Sequence, residues 1–178
     1  MKCPNCGGEL RLGNSGLAVC RECCWNGEAV KVKRLDPRAK LPTRAYDEAL
    51  GFDLYALEDY QVPAVDENGG IGLVKVRTGI AVEFPRGWGA LVKDRSSVAA
   101  KRRLVTVAGV IDPDYRGEVV ICLENHSGRV QEIKAGEKIA QLVPVPILKA
   151  VVVETKELSS TARGTGSFGS SDKPELTE

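Results

Sequence analysis

The sequence predicts an all-β fold, a sandwich or barrel, preceded by a small cysteine-stapled module. Three observations carry this. Beyond residue 43 the chain is a series of short runs rich in valine and isoleucine, broken by glycine and proline turns. A sustained helical period is found nowhere. Five of the six cysteines crowd into the first 24 residues. Evenly spaced short apolar runs signal β-sheet layers, and paired cysteines in a short segment signal a metal site.

The N-terminal segment places Cys3 and Cys6 as one Cys-x2-Cys pair, then thirteen residues, then Cys20-Arg-Glu-Cys23-Cys24. This is zinc-ribbon spacing. Four thiolates on two knuckles suit tetrahedral Zn2+, and so short a segment has too little apolar content to fold without metal. Cys3, Cys6, Cys20 and Cys23 are the expected ligands, with the adjacent Cys24 a substitute for Cys23. A metal-free, thiol-rich tail is the alternative. From Ala29 to Pro42 the composition turns basic and proline-bearing, and no period persists beyond Leu35. Residues 1–35 are therefore read as the ribbon and 36–43 as a linker. Its positive charge fits either a nucleic-acid contact or a solvated hinge.

Residues 44–158 read as the β domain. Strands are expected over Gly72–Val76, Gly79–Phe84, Trp88–Lys93, Leu104–Val107, Glu118–Leu123, Lys138–Val145 and Ala150–Glu154. Ser97–Arg103 is the one stretch compatible with a short turn or helix. From Ser159 the chain is rich in glycine, serine and threonine, so 159–178 is expected to be a flexible arm that orders on contact.

With 178 residues and 43% apolar content the chain can bury a core, so overall disorder is excluded. A net charge of +1 provides no global attraction to nucleic acid or an anionic membrane, so any anion must be captured locally. No run is long enough to span a bilayer, and the opening Met-Lys-Cys-Pro-Asn-Cys lacks the pattern of a leader. A cytoplasmic location, no membrane partner and reduced thiols are expected, with Cys122 a core thiol in an apolar strand.

Several clusters carry chemistry. Between Gly109 and Asn125, apolar positions flank a tight polar turn bearing Asp112, Asp114, Tyr115 and Arg116, so two strands are expected to meet there at a β-hairpin bend. An acidic group fixed between strands beside an aromatic ring and a guanidinium can orient water against a phosphate ester, and Asp112 is assigned this role. Arg95 and Ser96 follow a strand, where a guanidinium and a hydroxyl can grip phosphate oxygens. Gln141 interrupts the apolar run Ile139–Val145, a costly intrusion unless a phosphate or a strand-edge backbone group partners it. Gly164-Thr-Gly-Ser-Phe-Gly169 satisfies G-x-G-x-x-G, but only nine residues follow, too few for the helix and acidic residue of a dinucleotide site. What remains is an arm whose backbone amides can wrap phosphates while Arg163 meets the terminal one and Phe168 covers a base. His126, the single histidine, is read as exposed and inert in a hairpin turn; a Ser-His-Asp hydrolase has little to build on.

In order, Ala49–Ala56, Asp94–Ala99, Gly109–Asn125, Gly136–Leu142 and Arg163–Ser171 closely resemble the five ordered motifs of the trimeric deoxyuridine triphosphate pyrophosphatase (dUTPase) family. The resemblance implies a distorted jelly-roll sandwich and hydrolysis of dUTP to dUMP and pyrophosphate, limiting uracil in DNA and supplying dUMP. It implies Mg2+ accompanying the triphosphate, and a homotrimer whose sites are completed by neighbouring subunits. Asp112 would activate water and bond the 3'-hydroxyl, and Tyr115 would pack under the deoxyribose. Arg95, Ser96, Gln141, Arg163 and Gly166 would meet phosphates, with Ser97 adding a hydroxyl. Gly109 and its neighbours would read the base through the backbone. Asp53 would support the site near magnesium, or else fasten a backbone turn. Two departures stand out: Ser97 replaces the glycine of Arg-Ser-Gly, and Thr106 stands near where the family often has an asparagine.

The Arg95-Ser96-Ser97 sequence also resembles deoxycytidine triphosphate deaminases of the same fold. That family relies on a glutamate where this chain has Cys122; Glu124 lies two residues on. A third reading is a nucleotide-responsive regulatory module whose ribbon meets a protein or nucleic-acid partner.

Overall fold

In the computed structural model, which describes residues 2–3, 6–13, 17–21 and 26–170, fourteen strands and one helix follow one another. The N-terminal module is a three-stranded antiparallel sheet of β1 (Leu10–Leu12), β2 (Leu17–Cys20) and β3 (Asn26–Glu28), in the order β1-β2-β3. Next come β4 (Lys31–Arg34), β5 (Phe52–Tyr55), β6 (Tyr60–Val62), β7 (Gly72–Arg77), β8 (Ile80–Glu83) and β9 (Trp88–Asp94). The helix α1 (Ser96–Arg102) precedes β10 (Leu104–Val107), β11 (Val110–Ile111), β12 (Val120–Asn125), β13 (Gln131–Ile133) and β14 (Lys138–Pro146). The chain is mostly β with one short helix, as expected.

Two larger sheets, β11-β9-β14-β5 and β10-β12-β7, contribute to one apolar core with the pairs β6–β13 and β4–β8. In β12 burial alternates strictly, with Ile121, Leu123 and Asn125 inward and Val120, Cys122 and Glu124 half-buried on the other face. This period of two puts Leu123 against the core that also takes Leu54, Leu104 and Leu142, each at most 1% exposed. Truncating such a leucine to alanine typically costs about 2–5 kcal/mol. Cys122, read as a core thiol, instead lies on the half-exposed face.

β14 is central over Ala140–Leu142, between β5 and β9, but beyond Leu142 only β9 pairs with it. Pro144 and Pro146 fall on this stretch, where the missing N–H leaves no bond unmade.

Three sequence expectations are corrected. Lys31–Arg34, read as the end of the ribbon, pairs with β8 of the β domain, and Ala39, read as linker, is buried in its core. Alternation of Val30 and Val32 with lysines is a strand signal that the surrounding charge obscured. The expected strand Ala150–Glu154 is absent: Val151, Val152 and Val153 are 86%, 104% and 74% exposed and pair with no strand among the described residues. Finally, the strands flanking Asp112 form no hairpin. β11 pairs with β9 and β12 with β10 and β7, so residues 112–119 cross from one sheet to the other.

Residues 149–178 form a second unit. Its described part, 149–170, has no helix or strand and ends in successive turns. Among the described residues no helix is long and apolar enough to cross a membrane.

Candidate active site

Three adjacent strands align the phosphate-gripping candidates. Gln141 on β14 stands opposite Asp53 on β5 and opposite Lys93 on β9, so all three share one sheet face, and Arg95 follows two residues after Lys93. The Arg95 Nε donates to Asp53 Oδ1 at 2.9 Å, and the Lys138 ammonium sits 2.8 Å from Asp53 Oδ2. Asp53 is 1% exposed. Burial alone would raise its pKa, but the Lys138 hydrogen bond and the Arg95 charge outweigh it and hold the carboxyl below its ordinary value. Lys138 is correspondingly raised, first by its hydrogen bond to Asp53. Arg95 Nη1 also donates to the Lys138 carbonyl at 3.2 Å. The guanidinium is thereby held at two points. Asp53 fastens a side chain, where the sequence reading allowed a backbone turn.

Arg95 is the N-cap of α1, and Ser96 and Ser97 open its first turn, both exposed. The helix thus begins one residue before the Ser97–Arg103 stretch that the sequence marked as a turn or short helix. Gln141 is half-buried and its side chain has no hydrogen bond among the described residues.

The second cluster lies at the other end of β9. Val110 and Ile111 pair with Leu91 and Ala90, so Asp112 emerges beside the start of β9 while Arg95 follows its end. Five residues of extended chain separate Ala90 from Arg95, about 17 Å at 3.3 Å per residue. Within one chain the structure does not bring Asp112 and Arg95 together. Asp112 is exposed. Tyr115, 41% exposed, donates its hydroxyl to the Glu118 carbonyl at 2.8 Å, and its ring covers Gly117, where a Cβ would meet the phenolic oxygen at 2.5 Å. The ring is therefore fixed by its own loop.

Gly109 is required by packing: its carbonyl accepts from Val92 N–H at 2.7 Å, and a Cβ would come within 2.5 Å of the Val92 carbonyl oxygen. Two residues that sequence reasoning left without a role emerge here. Lys138 is the second cation on Asp53, and Asp94 accepts from both the N–H and hydroxyl of Thr106. Lys138 stood inside a quoted motif as a charge entering an apolar strand, which was its signal. His126, read as inert, pairs with Glu124 at 3.0 Å.

In the second unit, Arg163 Nε reaches the Gly166 carbonyl and the Ser170 hydroxyl, each at 3.1 Å, and Phe168 is fully exposed. In the N-terminal module, the sulfurs of Cys3, Cys6 and Cys20 lie within 4.8 Å of one another, with Cys6 and Cys20 at 3.5 Å. Cys3 and Cys20 are buried. Cys23 and Cys24 lie outside the described residues.

A sequence model of the dUTPase family matches residues 37–172. The chain belongs to the dUTPase family. A deoxyuridine 5'-triphosphate nucleotidohydrolase of Hydrogenobaculum is 45% identical over 141 residues, covering 78% of this chain and 94% of that one. The one from Nautilia profundicola is 38% identical over 146 residues, covering 81% and 99%. The human mitochondrial enzyme is 38% identical over 175 residues, covering 96% of this chain and 67% of its own length. Among solved structures, a mutant Staphylococcus bacteriophage 80alpha dUTPase with dUpNHpp aligns with TM-score 0.72 at 28% identity, covering 82% of this chain and 99% of that one. A phage phi11 dUTPase mutant, described with a structural Mg(II) ion, aligns with TM-score 0.65 at 25% identity over 75% of this chain and all of its own. The dUTPase match begins at residue 37, leaving the cysteine-rich module outside it.

Proposed function

We propose that this chain hydrolyses dUTP to dUMP and pyrophosphate through attack of water on the α-phosphorus. The observation that carries the reading is the buried Asp53 clamp on Arg95, set in register with Gln141 and beside Ser96. Such a fixed guanidinium, with a hydroxyl and an amide near it, suits the charge that develops on a departing pyrophosphate. Asp112 is the general base that takes the water proton, and its exposed carboxylate is open to solvent and nucleotide. Tyr115 is the platform for the deoxyribose, and Gly109 belongs to the loop that reads the base. Arg163, Gly166 and Phe168 close over the phosphates and base, with Ser97 an extra hydroxyl contact.

The site is shared between copies in a homotrimer. The separation of Asp112 from Arg95 along β9 supports this, since one chain alone leaves base and phosphate clamp apart. The exposed Val151–Val153 run before the arm supports a segment covered by another subunit. Magnesium enters as part of the substrate, bound by the triphosphate and neutralising its charge. Both Asp53 oxygens already face cations, so that carboxylate acts on Arg95 and stands behind the metal.

The N-terminal module is a structural zinc ribbon in this reading. Three thiols gathered within 4.8 Å fit soft, tetrahedral Zn2+, with Cys3, Cys6 and Cys20 as ligands and Cys23 or Cys24 as the fourth. Such thiolates belong to a reducing, cytoplasmic setting.

Incubating the protein separately with dUTP, dCTP, dTTP and UTP, and measuring pyrophosphate and ammonia, tests the reading. Pyrophosphate from dUTP alone is expected. Ammonia from dCTP would replace it with a deaminase, and no product from any would leave a binding module.

A further inference from the structure

The far end of α1 and the turn between β12 and β13 enclose a hollow of about 360 Å³ that the phosphate clamp does not use. Lys101, Arg102, Arg103 and Arg129 line it, with Ser127 and Gln131 between them. Its walls are fixed. Arg102 is spent internally, on Gln131 Oε1 at 3.3 Å, on the Glu137 carboxylate and on the Glu132 carbonyl. Gln131 donates to the Ser127 hydroxyl at 3.1 Å, and that hydroxyl lies 2.6 Å from Asn125 Oδ1. The fully buried Asn125 amide holds the carbonyls of Val62, Pro63 and Arg129, and the His126 N–H holds that of Arg103.

The other three cations, on Lys101, Arg103 and Arg129, are exposed and have no acidic partner among the described residues. The helix dipole accounts for Lys101 and Arg102 in the last turn of α1. It extends to Arg103 at the cap but does not account for Arg129. Arg103 moreover adopts the left-handed conformation, φ 56°, at the helix C-cap, where glycine would carry no strain. A strained arginine beside two more unpaired cations, on a rigid floor, is a site organised for anions in a chain whose net charge is only +1.

Guanidinium forks match phosphate oxygens, and three cations around one hollow suit phosphates spaced along a strand. No aromatic side chain lines the hollow to stack a base, and a contact made only to phosphates carries no sequence information. We propose that this hollow binds the phosphodiester backbone of nucleic acid, independently of base sequence and apart from dUTP turnover.

Fluorescence anisotropy of the full chain with a labelled 20-base-pair mixed-sequence duplex tests this. With three phosphate contacts, affinity should fall roughly 40-fold between 50 and 200 mM salt, because the log–log slope is about −0.9 per contact. The double variant Arg103→Gly with Arg129→Ser should flatten that slope by about two while dUTP turnover, trimer content and melting temperature are retained. The pair Lys101→Gln with Arg129→Gln, which alters exposed side chains only, should flatten it likewise and serves if the first variant folds poorly. An unchanged slope in the folded variants overturns the proposal. So does complete displacement of the duplex by inorganic triphosphate at equal phosphate concentration, which would assign the hollow to free polyphosphates, and so does a change of oligomeric state in place of a change in binding.

Discussion

The Asp94 carboxylate holds Thr106 twice, accepting from its backbone N–H at 2.6 Å and from its hydroxyl at 2.7 Å. Asp94 immediately precedes Arg95, and Thr106 leads into the Gly109 loop, so one side chain ties the proposed phosphate clamp to the proposed base-reading segment. Asp94→Ala would leave a half-buried N–H without its acceptor, a loss of about 1–3 kcal/mol. We expect urea titration to show that destabilisation, and kcat/KM for dUTP to fall relative to dCTP as the loop loosens. Thr106→Val, which keeps the N–H bond, should cost only about 1 kcal/mol. Equal losses in the two variants would count against the double hold.

Asp112→Asn should abolish turnover, by about 10²–10⁴-fold for a lost general base, while nucleotide affinity is largely retained. Asn keeps the shape and removes the proton acceptor. Single-turnover rates and isothermal titration with a non-hydrolysable dUTP analogue separate the two quantities. Undiminished turnover would remove Asp112 from the base role.

The depressed Asp53 pKa makes a pH prediction. Burial opposes the charged form, yet Lys138 and Arg95 overcome it, so the folded-state value lies below the unfolded one near 3.9. A group of this kind adds stability at pH above its unfolded value, and that stability is lost as pH falls through the lower folded value. Denaturation midpoints between pH 6 and pH 2 should therefore fall more steeply for the native chain than for Asp53→Asn. At neutral pH that variant should be the less stable, because two cations lose their counter-charge. Parallel pH profiles would show that Asp53 contributes nothing ionic.

What could be read from residues alone divides along physical lines. Strands with strong β-branched or alternating patterns, such as Leu104–Val107 and Lys138–Pro146, were legible because burial on one or both faces writes itself into composition. Phe52–Tyr55 and Gln131–Ile133 were not, being short and each interrupted by an acidic residue, Asp53 and Glu132. The Val151–Val153 run shows the converse, a strong propensity that forms no strand pairing among the described residues. Arg95, Ser96, Gln141 and Asp53 were identified as separate features; their convergence depended on the register of β5, β14 and β9, which no local pattern specifies. The Asp112 turn looked like a hairpin because two apolar runs flank it, and only the sheet partners reveal a crossover.

Removing residues after Ser159 should cut dUTP turnover severely without unfolding the β domain. The arm belongs to the second unit, within which Arg163 bonds Gly166 and Ser170. Circular dichroism melting should be unchanged to within a degree or two while kcat collapses. An unaltered rate would reject the closing role.

Two truncations at the other end separate the module from the fold. β4 pairs with β8 over Lys31–Arg34, Leu35 N–H donates to the Gly79 carbonyl at 2.8 Å, and Ala39 is buried at 4% exposure. A chain beginning at Ala29 keeps all of these and loses only the five N-terminal cysteines and their sheet; it should fold, trimerise and turn over dUTP normally. A chain beginning at Arg44 strips a strand from β8 and uncovers Val82 and Ile80, which are otherwise about 2% and 1% exposed. It should melt at distinctly lower temperature, since uncovering even two such side chains costs about 1.5–3 kcal/mol each. Zinc content by chelator release should be present in the full chain and absent from both. If the Ala29 chain lost turnover while remaining folded, the cysteine module would belong to the catalytic machinery, and its role as a separate stapled unit would have to be given up.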